Sequence, residues 1–198
     1  MIDLVELDKL DSVDGVEVEY VLRLVCSLFG ECDPRVRIVG AFFGDRRYPH
    51  TVYMSETNRF QVAICIPRHQ ADDPLARLVH LSHELVHCLS PNGWPPKATH
   101  LEEGLAEHSK VYLSQMIFQD DYPDFNFRDL PRGEYRAAFE LIEELVQYEG
   151  LQGMRDGISK IRMRTKLPFC EISESDLAKE FVRTPQTLLE KLSKPFKD

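Results

Sequence analysis

Residues 83–87 read HELVH. Positions four apart on an α-helix share one face, so His83 and His87 can each aim a ring nitrogen at a single ion. Glu84 is turned about 100° from His83 around such a helix, which sets its carboxylate beside the ion and not on it. Two imidazoles with a neighbouring carboxylate are the parts needed for hydrolysis by a zinc-activated water. Zinc lowers the pKa of that water to about 7, and Glu84 is placed to take its proton. A catalytic zinc is held by three protein ligands, so one more must come from elsewhere. The stretch HLEEGLAEH offers His100, Glu102, Glu103, Glu107 and His108.

The elements that must position these groups follow from the surrounding pattern. Ala71-Asp72-Asp73-Pro74 starts a helix, with aspartates to cap it and a proline suited to a first turn. The helix is predicted to run to about Ser90. Leu78, Val79, Leu85, Val86 and Leu89 give it buried surroundings, in which an unpaired Glu would be costly. The loop CLSPNGWPPKAT follows, and its Gly93 and three prolines forbid helix. Thr99 then caps a second helix, and THLE fits a capping box through Glu102.

Upstream, apolar residues at helical spacing predict a helix over Val16–Phe29. Three β-like runs come next, VRIVGAFF, HTVYMSE and RFQVAICIP. Downstream, further helices are predicted over about 134–148, 150–162, 174–182 and 185–192. Strands before helices give an α+β chain with a small, mostly antiparallel sheet. One domain is expected over 1–198, with an N-terminal helix and sheet (1–70), active-site helices (71–118) and C-terminal helices (133–193).

Bulk composition narrows the function classes. A net charge of −9 opposes nonspecific nucleic-acid binding, which needs a basic surface. The one basic run, KIRMRTK (160–166), reads as a solvated helix end. No stretch approaches the roughly 20 apolar residues of a membrane span, and the acidic N-terminus lacks the features of a secretory signal. Five scattered cysteines without a CxxC pair fit reduced thiols in the cytoplasm. Among secondary candidates, His80 lies one turn before His83 and is either a pocket residue or a competing ligand. Glu107, one turn after Glu103, could orient a ligand imidazole through its Nδ1–H. Cys88 should face the core, and Trp94 should pin its own turn.

HELVH followed after a loop by LEEGLAEH resembles the gluzincin zinc metallopeptidases, the compact minigluzincins in particular. The resemblance covers roughly 74–192, and HELVH and EEGLAE are its specific parts. It implies a zincin-like fold with the HExxH helix packed under the sheet. It also implies one Zn2+ per chain, with His83, His87 and Glu103 as ligands and Glu84 as general base. Gly104 would allow two helices to approach closely, having no side chain. GEYRAAFELIEELVQYEG is similar to the helix of that clan which opens on a tyrosine, so Tyr135 would donate a hydrogen bond to the oxyanion. Tyr112, Tyr122 and Tyr148 are other phenols to consider.

Two departures qualify the match. Fifteen residues separate His87 from Glu103, fewer than in the clan's large aminopeptidases, which keeps Glu107 in contention as third ligand. No GxMEN-like segment is present, which points to endopeptidase rather than aminopeptidase action. RFQVAICIP falls where the clan has its substrate-pairing edge strand, with an interior strand as the alternative that its apolar content suits nearly as well. The implied partners are a peptide or protein substrate and a possible protein regulator. The rival expectation is a catalytically silent zincin-fold module acting with a protein partner.

Overall fold

The computed structural model describes residue 7 and residues 9–95 and 97–197. Among these are seven α-helices and one three-stranded sheet. Helix α1 spans Gly15–Phe29, capped by the Asp14 carboxylate, which accepts from Val16 N at 2.9 Å. The strands are β1 (Arg37–Gly44), β2 (His50–Tyr53) and β3 (Gln61–Pro67). Helices α2 (Pro74–Leu89) and α3 (His100–Phe118) follow, then α4 (Gly133–Glu149), α5 (Leu151–Thr165), α6 (Glu174–Glu180) and α7 (Gln186–Leu192). Among the described residues, no helix is long and apolar enough to cross a membrane.

The α+β order holds, but the sheet is mixed. Its order is β1-β3-β2, with β1 parallel and β2 antiparallel to β3. RFQVAICIP is thus the interior strand and not an edge. The physical reason lies in its continuous apolar run, which is buried on both faces. Val62, Ile64 and Ile66 join the main core with α1 and α2, whereas Ala63 and Cys65 pack with Leu7 and Val52 on the other side. Helix α2 lies against β3 and β2 on the main-core side.

Local chemistry sets the helix starts. Asp73 caps α2 by accepting from Ala76 N at 3.0 Å, with Pro74 in the first turn. Thr99 caps α3 through Glu102 N. Gly104 does provide a close approach, though towards α4. A Cβ there would lie 2.5 Å from Ala138 O and 2.6 Å from an Ile142 carbon. This contact holds the second and third turns of α4 against α3.

The basic run does not behave as a solvated helix end throughout. Arg162, on α5, is 6% exposed. Its guanidinium donates to Phe29 O, Gly30 O, Glu31 O, Leu89 O and Ser90 Oγ, at 2.6–3.0 Å. It thereby closes the C-terminal ends of α1 and α2, where backbone carbonyls lack helical partners.

Candidate metal centre

The last two turns of α2 present His83 and His87 towards the first two turns of α3. The two Nε2 atoms are 3.3 Å apart. Glu103 faces both, with Oε2 3.4 Å from His83 Nε2 and Oε1 3.7 Å from His87 Nε2. These three residues form a group that could hold a metal ion. Tetrahedral zinc with bonds of 2.0–2.2 Å to nitrogen and oxygen requires ligand–ligand separations of about 3.3–3.5 Å. The separations of 3.3 and 3.4 Å fall within that range, and the 3.7 Å from His87 Nε2 to the other carboxylate oxygen lies just beyond it.

The opposite ring nitrogens are both engaged. His83 Nδ1 lies 2.9 Å from Glu107 Oε1, and His87 Nδ1 lies 2.8 Å from Glu102 Oε1. Each Nδ1–H therefore donates to a carboxylate, which leaves each Nε2 to present a lone pair inward. With both rings neutral, two lone pairs and a carboxylate converge there, and Glu103 Oε2 is buried with no hydrogen-bond partner. This donor set, two nitrogens and one oxygen, matches a metal cation.

Protons compete for the same place. Burial pushes the His83 imidazolium down, but Glu103 and Glu107 push it up more strongly, to about 10. Burial likewise lowers His87, and Glu103 and Glu102 raise it to about 9. Burial raises the Glu103 carboxyl, yet the two imidazoles bring it below its usual value. Burial dominates at Glu102 and holds its carboxyl above the usual range.

Glu102 is the residue that sequence reasoning misassigned. It was expected to return to the Thr99 backbone as a capping-box partner. Its carboxylate instead accepts from His87 and from Asn92 Nδ2, the latter at 2.6 Å. Asn92 is in turn tied to Tyr53 Oη through its backbone N–H, at 3.1 Å. Glu107 takes the orienting position anticipated for it and also contacts Lys110. Thus Glu103, not Glu107, faces both Nε2 atoms.

Glu84 is 4% exposed. Its Oε2 accepts from the Thr51 hydroxyl at 2.9 Å, so β2 fixes the carboxylate of the HExxH helix. No local sequence signal marked Thr51. Tyr135 stands in the first turn of α4, its ring centroid 6.0 Å from that of His83 at an interplanar angle of 62°. The other phenols lie elsewhere: Tyr112 stacks on His108, while Tyr122 and Tyr148 are exposed. His80 pairs with Gln70, and burial holds its pKa down at about 4. His108 faces Glu143, 3.1 Å away, and Cys88 is core. Trp94 is half-exposed and lines a cleft with Arg59, Phe60 and Asn92.

Against protein-family models, curated proteins and solved structures, the chain finds no match. The site therefore rests on its own residues.

Proposed function

We propose that this chain is a zinc-dependent peptidase of gluzincin type, with His83, His87 and Glu103 as zinc ligands. One observation carries the reading: the two Nε2 atoms and the Glu103 carboxylate of an HExxH…E arrangement converge at zinc-compatible separations. Zinc, when bound, supplies a water acidified to a pKa of about 7 and polarises the scissile carbonyl. Glu84 takes the proton of the attacking water and passes it to the leaving amine. Tyr135 donates to the oxygen on which negative charge develops. Glu102 and Glu107 hold the two imidazoles in the tautomer that binds metal.

The edge beside this site is β2, which carries Thr51 and has no further strand beyond it among the described residues. An extended peptide adding to β2 by backbone pairing would bring its carbonyls towards Glu84 with little side-chain selectivity. That geometry suits an endopeptidase.

A catalytically silent zinc-binding module is the second reading. Its support is the depth of Glu84 and the engagement of its carboxylate by Thr51.

Elemental analysis of the purified wild type beside Glu103→Ala and Glu107→Ala tests the metal assignment. One zinc per chain, abolished in Glu103→Ala and only weakened in Glu107→Ala, is the expected result. No zinc in any sample after loading would remove the peptidase reading. Incubation of the zinc-loaded protein with total cell lysate separates the two readings, because a peptidase leaves new fragments and a silent module leaves none.

A further inference from the structure

The last described residues return to the centre from a long way down the chain. Phe196 N donates to Ala98 O at 2.9 Å, and His100 N donates to Lys194 O at 3.0 Å. Thr99 and Pro195 form an antiparallel bridge between these two bonds. The tail is thus fastened to the N-cap of α3, four residues before Glu103.

That fastening delivers one side chain. The Phe196 ring packs on Tyr135, with centroids 4.9 Å apart at 51°, and on His100 at 5.5 Å and 71°. Both separations lie in the range of attractive aromatic pairs. Tyr135 is therefore flanked by two rings, Phe196 and the metal-facing His83. Tyr135 is only partly buried and stands in the first turn of its helix. Neighbours brought from other elements restrict the rotamer freedom of a phenol so placed.

We propose that Phe196 is a positioning residue that holds the Tyr135 phenol in its working orientation beside the metal centre. The inference rests on the peptidase reading, in which that phenol supports the oxyanion. Because the tail is fastened to Thr99 and His100, it fixes the phenol relative to the helix that carries Glu103. The effect on the reacting carbonyl is indirect, since Phe196 itself touches only Tyr135 and His100 among the aromatic groups of the site.

The test uses the zinc-loaded full chain and acetohydroxamate, a small zinc-directed anion whose oxygen needs a hydrogen-bond donor, with affinity followed by calorimetry. Tyr135→Phe and Phe196→Ala should each weaken binding about tenfold, the loss of one neutral hydrogen bond. The double variant should be no weaker than Tyr135→Phe alone, and Phe196→Tyr should restore the affinity of the wild type. Zinc content should remain at one per chain throughout. Should Phe196→Ala fail to fold, Phe196→Leu, which retains apolar bulk without the ring, replaces it in the cycle.

Unchanged affinity in Phe196→Ala, or an additive loss in the double variant, overturns the inference while the zinc site stands. Tighter binding also overturns it, because the tail would then be a cover and not a support. A wild type that takes up no zinc removes the peptidase reading and this inference with it.

Discussion

Two buried charge clusters of opposite sign meet the C-terminal half of α2, within a few residues of one another. At Leu89 and Ser90 the helix ends on the Arg162 guanidinium, whose five hydrogen bonds all go to protein oxygens. One turn earlier, His83 and His87 meet three glutamates, and there Glu103 Oε2 is buried without a hydrogen-bond partner. The first cluster is closed: every donor has found an acceptor, and nothing further is needed. In the second, acceptors outnumber donors and a cation or protons must balance them. Burial alone does not distinguish a structural charge from a functional one. Incomplete partnerships, added to burial, are what mark the second cluster as a candidate for binding.

The sharpest way to probe the open cluster is through Glu84, the proposed general base beside the proposed ligands. Glu84→Gln should lower peptide hydrolysis by about 10²–10⁴-fold, the usual yield of a general base, with zinc content unchanged. Zinc analysis and a peptide-release assay on the same sample check this, and retained turnover would refute the role.

The closed cluster should fail differently. Arg162→Met strands several backbone carbonyls, each at a cost of about 1–3 kcal/mol, for a total of about 3 kcal/mol or more. Denaturant unfolding should show this loss equally with and without zinc. A loss seen only in the zinc-loaded protein would mean that the two clusters are coupled.

Intermediate effects are expected where the open cluster is oriented. Glu102→Gln and Glu107→Gln should each weaken zinc by about 10–100-fold, measured by competition with a chelator. If only Glu107→Gln does so, Glu102 belongs to the helix start and not to the centre.

A separate effect concerns pH. In the metal-free protein the folded His83 and His87 titrate near 10 and 9, above the ordinary value of 6.5. Groups raised on folding contribute stability that is complete below the unfolded pKa and is lost as pH rises through the folded one. Metal-free melting temperature should therefore fall as pH is taken from about 6.5 towards 10. Zinc affinity should rise over the same window, because binding displaces those protons. A metal-free protein whose stability is flat across it would contradict the cation-seeking character of the site.

What could be read from the chain alone was what the α-helix makes local. His83, His87 and Glu84 share one short helical repeat, and Glu103 and Glu107 share another, so their faces follow from spacing. Asp73 and Pro74 likewise announce the start of α2 within four residues. The features that escaped depend on partners far along the chain. Arg162 finds carbonyls more than seventy residues away, and its burial cannot be inferred from a basic run that otherwise looks solvated. Phe196 reaches Tyr135 only because the tail pairs with Ala98 and His100. Glu102 satisfied a local pattern so well that its long-range partner was hidden; His87 offers a charged bond in place of a backbone one, and the stronger partner wins. The sheet was misread for a similar reason: a run apolar on both faces fixes burial, whereas pairing direction depends on connections that periodicity does not record.

Glu102 and Glu103 are consecutive, yet one orients His87 from behind while the other faces both Nε2 atoms. Each residue on a helix advances by about 100°, so the pair acts as a phase mark between α2 and α3. One residue inserted between Thr99 and Glu102 would rotate both carboxylates off their targets, and no side-chain rearrangement could recover two roles at once. The first turn of α3 is thus a place where the number of residues, and not only their identity, sets the geometry.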